Sequence, residues 1–429
     1  NYRNLKDNDR VLNALLPETF DFVSKLISEA SEPYKSKIIH LGMDETWGIG
    51  RGASFTPGVP VNPRRIYAEY VAKVAKICDE KGLKPVIWGD FVLGRSGEAA
   101  MSDEEISLIP KNVTLNYWNY HNEDETIYER DFDKIKKSGF DCISSPGLWT
   151  WSLFFPDVAK MRKTAGPMMN VIHRCKMDKV MMTLWGDDGS ECLLSSCWLA
   201  LSYFFAACRK PQPEEQFYKL RAERICKIDV AKFAKFEVPG RVPENVSQGN
   251  FKANPRMFFY EDPLTPLCCL IPGKNDRLVM KGMSKFFGCR YHGDSSYSKL
   301  YQMASLFCAI SSGKIALAQD IKKNYPEKRK KLKKNVSEAK KLAKKLKKFH
   351  HLYRSLWLEE RKPFGLEEMD FRLAGLSARL EIMADALKSY LKGKIHGIPE
   401  FESEAPFKLF KSEDLNTARK LRTKSISIW

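Results

Sequence analysis

Short apolar runs alternate with helical stretches over the first half of the chain, and this alternation constrains the fold more than any other feature of the sequence. The runs are KIIHL (37–41), KPVIW (84–88), VTLNYW (113–118), FDCIS (140–144) and VMMTLW (180–185). Each is brief and largely apolar, as expected of strands that are buried on both faces. Strands that alternate with helices predict a parallel α/β architecture.

Polar, glycine or tryptophan residues follow every one of these five predicted strands. The exits read GMDE (42–45), GD (89–90), NYH (119–121), SPG (145–147) and GDDG (186–189). In a (β/α)8 TIM barrel the carboxyl ends of all strands share one rim, and the active site is built on that rim. The pattern therefore favours a barrel over a doubly wound sheet.

Five strands are too few to close such a barrel. Residues 11–30 are typical of the helix that precedes the first of them, so we expect strands four to eight of a (β/α)8 TIM barrel, entered at its third helix. A missing N-terminal segment or a second chain would then complete the barrel, because bare sheet edges recruit partners. The first residue is not Met, which leaves a targeting segment in a longer precursor open.

Beyond residue 210 the strand signals end and long helical patterns follow. Apolar residues recur at helical spacing over 296–319, 332–357 and 366–391. We therefore predict two domains. Residues 1–210 form the C-terminal portion of a (β/α)8 catalytic barrel, and residues 211–429 form a mostly α-helical C-terminal domain.

The positive charge of the chain is concentrated in one segment. Residues 322–348 hold 14 Lys or Arg and 2 Glu, which is +12 of the net charge of +18. Their apolar residues predict an amphipathic helix with a lysine-covered solvent face. A phosphate or membrane contact of this face stays open, but no aromatic residues interleave the lysines as base stacking would require. The rest of the chain is only mildly basic, so nucleic acid is not the expected partner.

Composition also bears on membrane spans, metals and redox compartment. No run approaches 18 consecutive apolar residues, so no membrane span is expected. The 11 Cys include no CxxC pair and no Cys/His pattern at zinc-ligand spacing. This usage is typical of buried free thiols and favours a reducing compartment. We expect neither a metal nor a cofactor.

The strongest local signal is the sequence IIHLGMDETW over residues 38–47. Asp44 and Glu45 follow directly after a predicted strand, and like charges in a poorly solvated cleft raise the pKa of one carboxyl. Such a pair supplies a protonated acid beside an ionised partner, as general-acid glycoside hydrolysis requires. An Asp-Glu dipeptide alone is usually a solvated surface feature. The strand, Gly42 and His40 around it favour the catalytic interpretation.

Tryptophan residues gather at the predicted strand ends. They are Trp88, Trp118, Trp149, Trp151 and Trp185. Indole rings offer flat apolar walls to the C–H faces of sugars and can enclose a small apolar group. Packing of the barrel rim would explain any single one of them, but it explains the whole set less well.

Together these residues resemble glycoside hydrolase family 20, the exo-acting β-N-acetylhexosaminidases. HLGMDE (40–45) is similar to the family signature His-x-Gly-x-Asp-Glu, and Trp88, Trp118 and WGD (185–187) fall at later strand ends. The stretch 356–379 is similar to the helical domain of a single-chain bacterial-type branch. The resemblance extends over nearly the whole chain.

The resemblance implies retaining hydrolysis of terminal β-linked GlcNAc or GalNAc from glycans or glycoconjugates. Glu45 would be the general acid/base. Asp44 would hold the N–H of the substrate's own 2-acetamido group, whose carbonyl oxygen attacks C1 and forms an oxazolinium intermediate. This substrate-assisted route is an exception to the two-carboxylate scheme of most glycosidases.

The resemblance also implies a substrate pocket with aromatic walls and one further carboxylate. The walls would be Trp88, Trp118 and Trp185, and Asp187 would accept hydrogen bonds from sugar hydroxyls. Family members usually present a Tyr near the end of the seventh strand, whereas SPGLWTWS (145–152) offers Trp149 and Trp151. An indole N–H can donate the same hydrogen bond to the acetamido oxygen, so both are candidate substrate contacts.

Two other functions stay open at this stage. The chain could be a catalytically impaired carbohydrate-binding barrel fragment that needs a partner chain or a missing N-terminal segment. It could also be a basic interaction module that acts through residues 322–348. The intact Asp44–Glu45 pair argues against a purely binding role.

Overall fold

The computed structural model describes residues 2–95, 98–242, 246–248, 251–289 and 297–402. The chain divides into two compact units. The first, here called the sheet unit, comprises Asn1–Gly147, Arg162–Thr183 and Ala207–Gln212. The second, the helical unit, comprises Leu148–Met161, Leu184–Ala206 and Pro213–Trp429. The domain bounds of 1–210 and 211–429 stay a prediction.

The sheet unit is built on a four-stranded parallel sheet. Its strands are β1 (Ile38–His40), β2 (Lys84–Trp88), β3 (Thr114–Trp118) and β4 (Asp141–Ser145), paired in chain order. The four predicted strands are thus confirmed to within one or two residues. Central residues of β2 and β3 are buried, as the continuous apolar runs require.

The fifth predicted strand, at 180–185, is wrong as a continuous strand. The chain there makes only two isolated parallel bridges, Val180 to Ser144 and Thr183 to Gly147. Pro146 lies between the two partner residues and has no backbone N–H to donate. It interrupts the ladder, because every second hydrogen bond of a parallel pair needs a donor from that side.

Helices connect successive strands of the sheet. The connecting helices are α2 (Pro63–Glu80), α3 (Asp90–Leu93), α4 (Asp103–Ser107) and α5 (Glu125–Lys137), while α1 (Pro17–Ser31) precedes β1 and α6 (Val158–Arg174) follows β4. The helix predicted at 11–30 therefore begins later, at Pro17, where proline is favoured in the first turn. Parallel strands in chain order with helical crossovers are a portion of a (β/α)8 TIM barrel.

Helix α2 illustrates why these segments fold as they do. The Asn62 side chain accepts from the Arg65 backbone N–H and caps the helix at its start. Its buried residues recur at helical spacing: Tyr67, Ala68, Val71, Val74, Ala75 and Cys78. Full burial of each valine stabilises the fold by about 1.5–3 kcal/mol relative to exposure.

The helical unit contains the long helices. Its elements after α6 are α7 (Trp198–Ala207), α8 (Glu215–Cys226), α9 (Val230–Phe233), α10 (Glu237–Arg241), α11 (Pro255–Tyr260), α12 (Lys274–Gly288), α13 (Ser298–Asn324), α14 (Lys333–Glu360), α15 (Leu366–Leu391) and α16 (Pro399–Glu402), with a small hairpin of β5 (Val246–Gln248) and β6 (Phe251–Ala253). The three long helical patterns are confirmed, although residue 296 lies outside the described residues. The fold is therefore a TIM-barrel portion followed by a mostly helical domain.

The core of the helical unit is aromatic. Phe154, Phe259, Phe307, Phe349 and Tyr353 are buried against one another, with ring centroids 4.9–6.0 Å apart in most pairs. Contacts of this kind add about 0.5–1.5 kcal/mol per pair beyond the burial of area. Phe154 thus joins the segment 148–161 to helices α13 and α14.

Two further predictions concern this chain as a whole. All 11 cysteines are free thiols, but only six of them are buried, so the prediction of buried thiols is wrong for the exposed Cys175, Cys208 and Cys289. In the part of the chain that the structure describes, no helix combines the length and the apolar character needed to span a membrane.

Candidate active site

The loop that follows β1 has an unusual backbone. Gly42, Met43 and Glu45 all have positive φ angles, of 72°, 67° and 44°. Glycine adopts this region freely, but each of the other two residues costs about 1–2 kcal/mol there. Strain of this kind persists where the surrounding structure imposes it, and it clusters at functional sites. The Tyr67 hydroxyl donates to the Met43 carbonyl oxygen at 3.0 Å and helps to hold the loop.

The Asp44 and Glu45 side chains are both exposed at the carboxyl end of β1, rather than enclosed in a poorly solvated cleft as predicted. The pKa of the Glu45 carboxyl is nevertheless raised above its ordinary value. Partial loss of hydration is the main cause, followed by the negative charges of Asp44 and Asp90. Glu45 therefore keeps its proton to a higher pH than an ordinary glutamic acid does.

Asp90 organises this site, and it was not among the predicted site residues. It is the first residue of α3 and only 2% exposed. Its Oδ2 accepts from the Glu45 backbone N–H at 3.0 Å, and its Oδ1 accepts from the Trp118 indole N–H at 3.4 Å. One buried carboxylate therefore joins the ends of β1, β2 and β3. The available sequence signal was its place directly after Gly89 at a strand exit.

His40 forms a second polar link across the sheet. Its Nδ1 accepts from the Gly42 N–H at 3.1 Å. The Asn116 side-chain amide lies between His40 Nε2, at 3.2 Å, and Ser145 Oγ, at 2.6 Å. Partial loss of hydration lowers the pKa of His40, which favours the neutral ring. The imidazole also contacts Trp88, with centroids 4.7 Å apart.

The loop beyond Glu45 is fixed by the N-terminal segment of the chain. Asp7 Oδ2 accepts from the Gly50 N–H at 2.8 Å, and Oδ1 accepts from the Ser54 N–H at 2.7 Å and its hydroxyl at 2.6 Å. Asn8 donates to the Trp47 carbonyl oxygen at 3.1 Å. These contacts hold the segment 47–54, which follows Glu45, at both of its ends.

The predicted tryptophans divide between the two units. Trp88 and Trp118 belong to the sheet unit with Asp44 and Glu45. Trp88 is buried, whereas Trp118 is half-buried and stacks on Tyr120 with centroids 5.2 Å apart. These two rings flank the links made by Asp90 and His40.

The other three predicted tryptophans lie in the helical unit. Trp149 and Trp151 stack on each other at 4.3 Å, and the Lys160 ammonium lies 3.5 Å from the Trp149 ring centroid. The Thr150 hydroxyl donates to the Trp185 carbonyl oxygen at 2.8 Å. This bond brings the two predicted strand exits that carry Trp149 and Trp185 together.

Asp187 follows Trp185 in a loop of the helical unit, and two arginines of the same unit hold this loop. Asp187 itself is exposed, and partial burial together with the charge of Asp188 raises the pKa of its carboxyl. Arg256 of α11 and Arg372 of α15 both donate to the Asp188 carbonyl oxygen, at 2.8 and 2.7 Å. Both guanidinium groups also pair with the buried carboxylate of Glu191.

Gly189 shows how closely this loop approaches the two arginines. Its φ is 115°, and a Cβ there would lie 2.4 Å from an Arg372 guanidinium nitrogen. Only glycine fits such a position. Among the described residues, no group of three or more His, Cys, Asp or Glu is arranged to hold a metal ion.

Two family models match the chain. The glycosyl hydrolase family 20 catalytic domain matches residues 2–165, and the glycoside hydrolase 20C C-terminal domain matches residues 231–419. The chain belongs to glycosyl hydrolase family 20. This family 20 protein is therefore a glycoside hydrolase of hexosaminides with a helical C-terminal domain. A search of curated proteins found no match.

The matched residues cover the site unevenly. Asp44, Glu45 and Asp90 lie within the catalytic-domain match, as do four of the five tryptophans. Trp185 and Asp187 lie between the two matched stretches. In this family 20 protein, the assignment of Trp185 and Asp187 to the substrate site therefore depends on their geometry alone.

Proposed function

We propose that this chain is an exo-acting, retaining β-N-acetylhexosaminidase that removes terminal β-linked GlcNAc or GalNAc by substrate-assisted catalysis. The observation that carries the proposal is the Asp44–Glu45 pair at the carboxyl end of β1, with the Glu45 backbone bound to Asp90. Membership of family 20 supports the same class of substrate.

Glu45 is the general acid in this proposal. Its raised pKa keeps the carboxyl protonated at a higher pH than an ordinary glutamic acid, so that it can donate to the glycosidic oxygen as the C1–O bond breaks. In the second step the carboxylate takes a proton from the attacking water. Exposure of Glu45 to solvent gives leaving group and water access to it.

Asp44 assists the internal nucleophile. The acetamido carbonyl oxygen attacks C1 as the leaving group departs, and the ring that forms is an oxazolinium ion with positive charge on its nitrogen. The Asp44 carboxylate accepts the N–H of that group and stabilises the charge. Water then opens the ring at C1. The two displacements invert C1 twice, so the β-configuration is retained.

The indole rings and Asp187 recognise the sugar. Trp88 and Trp118 are the proposed walls for the acetamido group and the sugar ring, and Trp185, which is 37% exposed, presents part of its ring to solvent, where a sugar face can pack. Trp149 and Trp151 are candidates for donating to the acetamido oxygen. The Asp187 carboxylate is exposed and suited to accept from sugar hydroxyls.

Asp90 positions the acid. Its two oxygens hold the Glu45 backbone and the Trp118 indole together, so one side chain fixes the acid relative to a pocket wall. It touches neither sugar nor leaving group in this proposal, and it acts through Glu45.

The direct experiment compares three p-nitrophenyl β-glycosides on the full chain: the N-acetylglucosaminide, the N-acetylgalactosaminide and the glucoside. Release of p-nitrophenol from either acetamido sugar, with the glucoside at least about 10²-fold slower, is expected because the glucoside has no internal nucleophile. Equal rates on all three would contradict substrate assistance. The Glu45→Gln variant gives the background of each assay.

A further inference from the structure

The concentrated positive charge of the sequence forms a groove in the helical unit. The groove runs between the first half of α14 and the last turn of α15 and has a volume of about 980 Å³. Seven of its ten lining residues are lysines, and the others are Val336, Ser337 and Leu391. Lys388 of α15 and Lys392, which directly follows that helix, line the groove together with the lysines of α14. We call this feature the basic groove.

Most of the charge in the basic groove is not compensated by the protein. Lys341 pairs with Glu338 at 2.8 Å. In the described part of the chain, no carboxylate lies within 4.0 Å of the other lysine ammonium groups of the groove. Two lysines of α14 outside the groove do pair, since Lys334 lies 3.0 Å from Asp320 and Lys347 lies 2.8 Å from Glu381.

The stability of helix α14 does not explain why so many unpaired lysines line the basic groove. The first turn of α14 begins with Lys333 and contains no acidic residue, although the positive end of the helix dipole favours acids there. Six unpaired ammonium groups around one groove also repel one another, which destabilises the fold. A bound anion would remove both penalties.

The shape and chemistry of the basic groove suit a chain-like anion. Lys333 and Lys344 are separated by about 16 Å along the helix, from a rise of about 1.5 Å per residue. Since the lysines lie along this length, an extended anion can contact several of them at once. The described lining contains no aromatic residue on which bases could stack, which disfavours single-stranded nucleic acid.

We propose that the basic groove binds a linear glycan that carries carboxylate or sulfate groups. Lysines act as compact point charges on flexible stems, so they accommodate such groups without the fixed bidentate geometry of arginine. Val336 and Leu391 supply an apolar strip between the charges, against which the C–H face of a sugar ring packs. The site goes beyond the proposed hydrolysis and needs no turnover, so the two proposals fail independently.

Binding of fluorescent heparin and hyaluronan oligosaccharides to the full chain, measured by anisotropy against salt, tests this proposal. The groove variant is Lys333→Gln/Lys340→Gln/Lys344→Gln. The matched control, Lys331→Gln/Lys345→Gln/Lys348→Gln, removes the same charge from exposed positions outside the groove lining. Circular dichroism and thermal unfolding verify that both variants are folded.

We expect the groove variant to bind at least about tenfold more weakly, with the slope of log K against log salt smaller by about 1–2, because up to three ionic contacts are lost. The dissociation constant of the control should stay within about threefold of that of the parent chain, because long-range charge contributes little at physiological ionic strength. Equal losses in both variants would overturn the proposal, as would no saturable binding by the parent chain. Tighter binding of a DNA oligonucleotide of matched charge would exclude the glycan as the preferred occupant.

Discussion

The substitution Asp90→Asn separates positioning of the acid from packing at the site. An aspartate at this position accepts two hydrogen bonds, from the Glu45 N–H and the Trp118 indole. Asparagine has a single acceptor oxygen, so one of the two donors must face an amide NH2 group. Loss of one hydrogen bond to a charged acceptor costs about 1.5–3 kcal/mol. If that cost falls on the geometry of Glu45, kcat/KM falls by about 10- to 150-fold.

The pH profile of Asp90→Asn is a second test, because the direction in which its basic limb should shift follows from the structure. The Asp90 charge is one cause of the raised pKa of Glu45, after desolvation and Asp44. Removing it lowers that pKa, so the basic limb of kcat/KM, where the acid loses its proton, moves to lower pH. Because the Asp44 charge stands higher among the causes, Asp44→Asn should move the limb further.

The assay is kcat/KM against pH with an N-acetylglucosaminide of poor leaving group. Asp131→Asn is the matched control, since Asp131 is a buried carboxylate of the same unit that accepts from the Tyr117 hydroxyl at 2.9 Å and pairs with Arg130 at 3.1 Å. The control should lower thermal stability and leave the basic limb in place. A positioning role for Asp90 is refuted if Asp90→Asn lowers thermal stability but changes neither the basic limb of the pH profile nor the dependence of kcat/KM on the leaving group.

Substitutions at Glu45, Asp44 and Glu191 test the remaining roles. Glu45→Gln should reduce kcat by about 10²-fold or more for poor leaving groups and much less for activated aryl groups, because only the former need the proton; equal losses in steady-state assays would count against an acid. Asp44→Asn should slow the reaction by about 10²-fold, and azide should not rescue Asp44→Ala; a glycosyl azide of inverted configuration, detected by NMR, would identify a covalent nucleophile instead. Glu191→Gln should lower the free energy of unfolding by about 3–5 kcal/mol in urea titrations, because two guanidinium groups keep their buried charges. Glu368→Gln, at a half-exposed pair with one of them, should change it by less than about 1 kcal/mol, and similar losses in both would contradict this.

Four strands were predictable because each is a short, largely apolar run between turn residues, a pattern that favours a strand. Burial explains this for β2 and β3, whereas Ile38 of β1 is 61% exposed. The fifth run, 180–185, has the same composition, but its conformation depends on the partner strand. Pro146 of that partner cannot donate, and nothing within 180–185 reports this. Pairing between distant segments is the information that a local pattern lacks.

The candidate site was predictable where the motif is local and hidden where it depends on distant contacts. Asp44 and Glu45 are adjacent in the sequence and follow a strand. Asp90 meets Glu45 across 45 residues, and a single aspartate after a glycine is too common to single out. Asp7 fixes the Gly50 loop over a separation of 43 residues, and its segment contains no recognisable motif.

The two arginines that hold the Asp188 loop also impose an order of events during synthesis. Arg256 follows Asp188 by 68 residues and Arg372 by 184 residues. At a translation rate of about 5–20 residues per second, Arg256 is synthesised roughly 3–14 s after Asp188, and Arg372 is synthesised roughly 9–37 s after Asp188. Between the synthesis of Arg256 and that of Arg372, Glu191 has only one of its two native arginine partners. The aromatic core of the helical unit is also incomplete during this interval. Ribosome pausing or chaperone capture between α11 and α15 would therefore act on the yield of folded protein, and through it on the fraction of molecules with an ordered Asp187.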